Sequence, residues 1–486
     1  MNYPLFPRSK VFLGIQAALA LMIVTTPTTA LGDDVTDENV NGHTYSTALT
    51  VNNPSTVFIF AEDAKYFDLN YNSVIIGDIN GSENTVTLSN GTGLHVIGEL
   101  WDELNDSADS RAEGNIVTLT GGSYADVAGG LGTGKASAGT KGNGNTVNIS
   151  NNAYIIGDVL GGFAVGSGNA VENRVNITGG SSLEGGKIFG GYSVEGQANG
   201  NTVFINTNTD NPSSIEDIYG GYAATAANNN HVTIRTGSFS QYEINIAGGE
   251  IAEDGGAGDA TENSVTIEGG TFSITGTGDP YYDINIMGGA AWNQGNATGN
   301  AVNISGGDFS VSDADNSEVL ILGGGVFHGN GNATGNTVNL SGSVDLSGSS
   351  VKIYGGAIVQ GDGNATGNTI TVDGSVSLTS AQIHGGYIEG GTGDAFTGNA
   401  LVFKSGWTGA VGSAQNFAKI VFENGGGLTV GTVTLGDGAS ATTEIETTGN
   451  ATLGATLSGT GFEKTGQGTL TLTGTNSHGS TTIREG

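Results

Sequence analysis

Histidine and serine are the residue types that most often carry catalysis or hold a metal. The sequence contains no Gly-x-Ser-x-Gly motif of the kind that presents a nucleophilic serine. It also contains no His-Glu-x-x-His motif and no close histidine pair that would suit zinc. We therefore interpret all six histidines as surface or corner residues: His43, His95, His231, His328, His384 and His478.

Two acidic clusters could supply paired carboxylates for glycoside hydrolysis or oxygen ligands for Ca²⁺. The first comprises Asp313, Asp315 and Glu318, and the second comprises Glu253, Asp254, Asp259 and Glu262. Both lie in segments whose length varies, and they do not recur at strand positions. Gly-Gly-x-Gly-x-Asp calcium repeats and an EF-hand glycine are also missing. We interpret these acids as solvated loop residues, and we predict no catalytic residue, cofactor or metal.

Aromatic residues beside Gly-Gly pairs are the strongest candidates for ligand contact. Seven of them flank such pairs: Phe163, Phe189, Tyr192, Tyr219, Tyr222, Tyr354 and Tyr387. Stacked at one corner, the rings could form a stripe that binds sugar rings or partner proteins. The alternative is that the rings simply cover the backbone of the corner.

A repeat must position these residues, because an asparagine followed by alternating apolar residues recurs every 28–37 positions. The asparagines are Asn84, Asn115, Asn145, Asn173, Asn201, Asn230, Asn263, Asn300, Asn336, Asn368 and Asn399. One such repeat contains three short strand-like pieces, which cannot bury a core alone but can do so when stacked. We predict an all-β, right-handed parallel β-helix of the pectin-lyase type with about eleven coils.

The asparagines are predicted to form a structural ladder, because an asparagine amide can bond to the asparagine one coil above. The hexapeptide Gly-Asn-Ala-Thr-Gly-Asn at 295–300, 331–336 and 363–368 contains an N-glycosylation pattern. We interpret it as the turn that carries the chain into the next coil, and its glycosylation pattern as incidental.

Composition and charge exclude several classes of protein. The chain has 87 Gly but only 6 Pro and no strict Gly-X-Y period, which excludes collagen, and it has no Cys for disulfides. Its net charge is −33, and it has no basic stripe that would bind nucleic acid. The charge suits exposure at a cell surface.

The chain divides into four predicted segments. Arg8 and Lys10 precede an apolar run at 11–24, so residues 1–30 match a signal peptide cleaved between Ala30 and Leu31. We predict an N-terminal cap at 31–75 and β-helix repeats at 76–410. Residues 411–486 have a different pattern rich in Thr, Gly and Leu, and we predict strand repeats of another type there.

Residues 461–486 read GFEKTGQGTLTLTGTNSHGSTTIREG. This run resembles the passenger-associated transport repeat, or autotransporter-associated β-strand repeat, of bacterial autotransporters. After Asn476 it departs from that pattern, with a shorter turn that has His478 in place of an aromatic residue. The matching residues include Lys464, Gly466, Gly468, Leu470, Leu472, Gly474, Asn476, Gly479 and Ile483.

The resemblance implies a passenger of a Gram-negative bacterium, exported through the periplasm and displayed at the outer-membrane surface or released. It implies a partner β-barrel translocator that this chain lacks, so we expect a truncated frame or a passenger fragment. Family members are commonly adhesins, and we expect adhesion or self-association through loops and corners, with glycan or protein of host or neighbouring cells as partner. The alternatives are a polysaccharide lyase or hydrolase and a structural stalk, the latter favoured if the aromatic stripe is buried.

Overall fold

The structure is a computed structural model. It describes residues 111–485 apart from 133, 209–212, 254–255, 275–282, 312–316, 345 and 347–349, together with strand segments that precede residue 111. The predicted signal peptide with Ala30 and Leu31, most of the predicted cap, His43, Asn84, Asp254, Asp313 and Asp315 lie outside the described residues. All the described elements are β-strands, and none is a helix that could cross a membrane.

The chain divides into two compact units, Met1–Ala223 and Ala224–Gly486. In the first unit the strands are β1 (Asp34–Val35), β2 (Leu49–Val51), β3 (Val57–Phe60), β4 (Ser73–Ile79), β5 (Thr85–Ser89), β6 (Thr92–Trp101), β7 (Arg111–Ala112), β8 (Ile116–Thr120), β9 (Ser123–Gly132), β10 (Ser137–Ala138), β11 (Thr146–Ser150), β12 (Tyr154–Ile155), β13 (Val159–Ala164), β14 (Ala170–Val171), β15 (Arg174–Thr178), β16 (Ser182–Leu183), β17 (Ile188–Ser193), β18 (Gln197–Asn199), β19 (Thr202–Asn206) and β20 (Asp217–Ala223).

In the second unit the strands are β21 (Ala226–Asn228), β22 (His231–Thr236), β23 (Ser238–Gln241), β24 (Ile244–Ile251), β25 (Asp259–Thr261), β26 (Ser264–Ile267), β27 (Thr271–Ile274), β28 (Ile284–Trp292), β29 (Ala297–Thr298), β30 (Ala301–Ile304), β31 (Asp308–Val311), β32 (Glu318–Phe327), β33 (Ala333–Thr334), β34 (Thr337–Leu340), β35 (Ser350–Val359), β36 (Thr369–Val372), β37 (Leu378–Glu389), β38 (Ala400–Phe403), β39 (Thr408–Gln415), β40 (Lys419–Phe422), β41 (Gly426–Leu435), β42 (Thr443–Thr447), β43 (Ala451–Leu453), β44 (Thr456–Gly459), β45 (Gly461–Thr465), β46 (Leu470–Leu472) and β47 (Ser480–Ile483).

Each unit is a stack of parallel coils, so the predicted all-β parallel β-helix is confirmed. In the first unit the strand after each repeated asparagine pairs in register with the same strand of the next coil, as β8, β11, β15 and β19 do. We call this the first sheet. The strand with the Gly-Gly pair forms a second sheet, as β9, β13, β17 and β20 do, and short strands such as β10, β14 and β18 form a third.

The second unit repeats this plan. Its first sheet runs in parallel register from β22 through β26, β30, β34, β36, β38, β40, β42 and β45 to β47. Its second sheet starts with β24 and β28, and its third comprises β21, β25, β29 and β33. The coils shorten towards the C-terminus, where first-sheet partners such as Glu444 and Glu463 are 19 residues apart.

Side chains that alternate along the first sheet make the core. In β11, Val147 and Ile149 are fully buried, whereas Thr146 and Asn148 are half-buried on the other face. Register pairing puts Val147 on Val175 of the next coil, so like residues stack in apolar columns. This is the two-residue period that the repeat predicted.

The strands before residue 84 pair differently. β2 is antiparallel to β1 and β5, and β3 is antiparallel to β4. The parallel stacking of the second sheet begins where β4 pairs with β6. Strands β1, β2 and β3 of the segment predicted as a cap therefore make antiparallel pairings, two of which reach β4 and β5 at the start of the stack.

Candidate functional site: ladders beside the Gly-Gly corner

The repeated asparagines lie buried between the first and second sheets, and their amides connect the coils. Asn145 Nδ2 donates to Asn173 Oδ1 at 2.9 Å, and the same oxygen accepts the Asn145 backbone N–H at 3.0 Å. Asn145 Nδ2 also donates to the carbonyl of Ala112 at 2.8 Å. The same bonding recurs along Asn115, Asn145, Asn173 and Asn201 in the first unit and along Asn230, Asn263, Asn300, Asn336, Asn368 and Asn399 in the second.

The ladder lies directly against the Gly-Gly pair of the second sheet and leaves no room for a side chain there. A Cβ on Gly161 would come 2.3 Å from the Gly190 carbonyl oxygen, and a Cβ on Gly162 would come 2.4 Å from Asn173 Oδ1. Both positions therefore face the ladder, and strict alternation along the strand is broken. The residues on either side of the pair consequently share the opposite face of the strand.

Two ladders of large side chains follow from this geometry in the first unit. One contains Leu160, Phe189 and Tyr219, and the other contains Phe163, Tyr192 and Tyr222. Ring centroids within the ladders are 5.3 Å apart for Phe189 and Tyr219 and 4.9 Å for Phe163 and Tyr192. Phe189 and Tyr192 stack across the ladders at 5.2 Å.

Burial decides what the predicted aromatic stripe can do. Tyr222 and Tyr387 are half-buried. The other five rings are buried: Phe163, Phe189, Tyr192, Tyr219 and Tyr354. Stacking thus leaves little ring surface for a ligand, which favours the alternative that the rings cover the corner.

An ionic ladder, which the sequence reasoning missed, precedes the aromatic ones. Its members lie two positions before the Leu160, Phe189 and Tyr219 ladder in the second sheet. In successive coils they are His95, Asp126, Asp158, Lys187 and Asp217. His95 Nδ1 lies 3.1 Å from Asp126 Oδ2. Asp126 Oδ1 accepts the Asp158 backbone N–H at 2.8 Å, and Asp158 Oδ1 accepts that of Lys187 at 2.8 Å. Lys187 Nζ contacts Asp217 Oδ2.

Burial shifts the protonation of this ladder. Burial, with the charge of Asp126 adding to it, raises the pKa of Asp158 to about 7. Burial alone would lower the pKa of Lys187, but the charge and hydrogen bond of Asp217 outweigh it, so this pKa is raised. Burial and the charge of Asp158 also raise the pKa of Tyr192. Asp158 can therefore both hold and release a proton near neutral pH.

The second unit has a smaller cluster at the equivalent corner. Tyr354 and Tyr387 stack with centroids 4.6 Å apart, and His384 lies 5.0 Å from Tyr354. Gln415 Nε2 is 3.1 Å from His384 Nε2. Burial, aided by the positive charge of Lys352, lowers the pKa of His384 to about 4.

We expect His384→Phe to flatten the acid side of the stability profile. A histidine whose pKa is about 4 when folded and about 6.5 when unfolded binds fewer protons in the folded state between these values. Stability from the neutral ring is therefore complete above pH ~6.5 and falls by about 3 kcal/mol as the pH drops to ~4. Urea unfolding at a series of pH values measures this slope. His328→Gln changes an exposed ring and is the matched control; equal slopes for both variants would contradict the expectation.

The candidate acids and histidines that the structure describes do not gather into one cluster. Among the described residues, no group of three His, Asp or Glu side chains could hold a metal. Glu318 Oε2 pairs with Lys352 Nζ at 2.5 Å, and Glu253 is exposed. His231 Nδ1 is 2.8 Å from Ser264 Oγ, and Glu262 adopts a corner conformation with φ of 56°.

The Gly-Asn-Ala-Thr-Gly-Asn turns build a ladder of their own. Asn296 Oδ1 accepts the Asn332 backbone N–H at 2.9 Å, and Asn332 Oδ1 accepts that of Asn364 at 3.0 Å. This row is flanked by carboxylates, because Asp259 Oδ1 accepts the Asn296 backbone N–H and the Asp394 backbone N–H bonds to Asn364 Oδ1. Beside it runs a row of exposed or half-buried threonines: Thr298, Thr334 and Thr366.

The residues on which the resemblance to a transport repeat rests lie in the last coils. Lys464 is buried, and its Nζ donates to the carbonyls of Thr465 at 2.7 Å and Gly466 at 2.8 Å. Gly466 has a φ of 77°. Gly468 is buried, and a Cβ there would lie 2.0 Å from the Gly449 carbonyl oxygen. The other positions lie on or near β46 and β47 and are half-buried or exposed: Leu470, Leu472, Gly474, Asn476, Gly479 and Ile483. Lys464 thus satisfies the carbonyls of a turn.

Comparison with known proteins gives no relative. No protein family, no curated protein and no solved structure matches this chain. The ladders are therefore interpreted from their own geometry.

Proposed function

We propose that this chain is a non-catalytic β-helical stalk, exported and displayed at a bacterial surface in the manner of an autotransporter passenger. The observation that carries this is the use of the aromatic rings and asparagine amides in stacking one coil on the next. Side chains that could bind a ligand instead contact the neighbouring coils and make the stack rigid. A net charge of −33 keeps such a display scaffold dispersed.

A direct test removes whole coils without changing register. Deleting residues 301–368 joins Asn300 to Thr369. Like the native junctions Asn300–Ala301 and Asn368–Thr369, the new junction connects a ladder asparagine to the first residue of a first-sheet strand. At ~4.8 Å per coil the two lost coils should bring the first coil of the second unit about 10 Å closer to the membrane. Energy transfer between a dye on the exposed Thr225 and a membrane dye, on cells that anchor the chain after residue 486, measures this change. If the deletion variant folds but its energy transfer to the membrane dye is unchanged, the stalk role is wrong.

Adhesion is the second candidate function, favoured by the amide and hydroxyl rows of the repeated turns, which Asp259, Asp362 and Asp394 border. The outer side chains of these turns form two rows, Asn296, Asn332 and Asn364 and, beside them, Thr298, Thr334 and Thr366. Most of the charged residues of the chain are acidic, 47 in all. Such a face can hydrogen-bond to a neutral glycan without an ionic cost. Many equivalent weak contacts would act through avidity.

Changing Thr298, Thr334 and Thr366 together to Glu should reduce capture of displaying cells on neutral polysaccharide beads at least tenfold, if avidity carries adhesion. A control with the same added charge changes the exposed Thr429, Thr452 and Thr471 to Glu. Equal capture by both triple variants would count against adhesion through this face and would leave the stalk proposal untouched.

A further inference from the structure

Lys187 and Asp217 lie at the same register position on neighbouring parallel strands of the first unit. Each directly precedes an inward isoleucine, and Ile188 pairs with Ile218. Their side chains are only 12% and 6% exposed, and Nζ contacts Oδ2. A primary amine and a carboxyl group are thus held together with little access to water.

A second carboxyl group lies on the opposite side of Lys187. Asp158 belongs to the preceding coil, is 8% exposed, and interacts electrostatically with both Lys187 and Asp217. The buried rings of Phe189 and Tyr192 cover the same corner. The corner thus places one amine near two buried carboxyl groups, with the more exposed Asp126 and Glu216 also within electrostatic range.

We propose that Lys187 and Asp217 condense to form an intramolecular isopeptide bond, with Asp158 as the acid and proton carrier. The bond would join two coils covalently and close the chain between residues 187 and 217.

The reaction needs no oxidant, reductant or cofactor. A proton passes within the contact from the Lys187 ammonium to the Asp217 carboxylate, which leaves two neutral partners; the raised pKa of Lys187 makes this neutral pair the minor form. The neutral amine then attacks the Asp217 carboxyl carbon, and Asp158, which interacts electrostatically with both groups, acts as the proton carrier. Asp158 moves a proton from nitrogen to the departing hydroxyl; one N–C bond forms, one C–O bond breaks, and one water leaves.

The environment supports the acid step and the attack. With a pKa raised to about 7 by burial, Asp158 is substantially protonated at neutral pH and can serve as the acid. Fixed neighbours on rigid strands can react at effective concentrations of ~10⁵ M or more. Exclusion of water favours condensation over hydrolysis.

The chain contains an internal control. Lys419 Nζ lies 3.1 Å from Glu444 Oε1, but these side chains are 36% and 38% exposed. Water therefore stabilises both charges of this pair, and we expect no bond between them.

Peptide mapping of the denatured full chain tests the proposal. Trypsin should fail to cut after Lys187 and should release residues 175–235 as one peptide that lacks one water. Further digestion at glutamates should give residues 185–195 joined to residues 217–235, because Glu184, Glu195 and Glu216 bound these segments. Linear peptides with cleavage after Lys187 would overturn the proposal, since they would show an ion pair only.

Variants separate the roles of the three residues. Asp217→Ala should restore complete cleavage after Lys187, and Lys187→Arg should give only unbranched peptides. Asp158→Asn should slow bond formation at least a hundredfold in freshly folded protein, the typical contribution of a general acid–base catalyst. Formation at the wild-type rate would remove Asp158 from the mechanism. The wild-type digest depends on no variant, so a variant that does not fold leaves the test intact.

Discussion

Gly329→Ala should destabilise the second unit by more than about 3 kcal/mol, above the usual range for overpacking. A Cβ at this position would lie 0.9 Å from the Asn293 carbonyl oxygen and 2.0 Å from its carbon. No rotamer can relieve a clash with backbone, so the coils themselves would have to separate. The same close approach continues in the next coils, where a Cβ on Gly361 would be 1.6 Å from the Gly329 oxygen.

The control for this substitution is Gly335→Asn. Gly335 has a φ of 66°, and a Cβ there would meet nothing within 4 Å. Asn229, which also directly precedes a ladder asparagine, has a φ of 56°. Asparagine tolerates this left-handed region, so we expect a change below about 1 kcal/mol. Urea unfolding followed by circular dichroism compares the two variants, and equal midpoints would show that the corner can relax around Gly329.

Gly329 and Gly361 show which part of the fold the sequence could predict. The asparagine period and the two-residue apolar alternation identify the parallel stack, because both repeat at fixed distances from each asparagine. The clash that makes Gly329 necessary depends on how closely one turn lies over Asn293. That distance is a property of stacked backbones, and composition alone does not contain it.

The ionic ladder was missed for a related reason. Asp126, Asp158 and Asp217 are the same residue type, but Lys187 interrupts their row, so no single letter recurs from coil to coil. They share only a position, directly before the first residue of the apolar-x-Gly-Gly pattern in their strands. A search of that position for ionisable residues would have found the ladder. Its burial and pairing, however, follow only from the register of the coils.

The aromatic residues illustrate the limit of pattern reasoning about exposure. A strand with regular alternation would place Phe189 and Tyr192 on opposite faces. Because Gly191 faces the ladder asparagine Asn201 and Gly190 faces the backbone of the next coil, the two rings instead share a face and bury each other at 5.2 Å. The sequence therefore predicts where these rings occur and leaves open whether they meet solvent.

Asn336→Ala should cost at least about 4 kcal/mol, because it leaves several buried polar groups without partners at ~1–3 kcal/mol each. Asn336 Oδ1 accepts both the backbone and the side-chain N–H groups of Asn300, at 3.0 and 3.1 Å. Its Nδ2 donates to the Ala297 carbonyl at 2.9 Å and to Asn368 Oδ1 at 3.1 Å. Alanine would also leave a void beside Gly324, whose Cβ direction points at the lost amide.

Two further variants assign this loss to the buried ladder. Asn339→Ala removes a half-buried amide on the outer face, whose Nδ2 donates to Asn303 Oδ1 at 2.8 Å, and should cost about 1 kcal/mol. Asn336→Asp keeps the shape but buries a carboxylate, whose pKa should be raised in the folded state. Its destabilisation should therefore be greatest at neutral pH and should shrink as the pH falls and the group takes up a proton. Urea midpoints at pH 7 and pH 5 measure the difference, and a pH-independent loss for Asn336→Asp would show that water reaches the ladder.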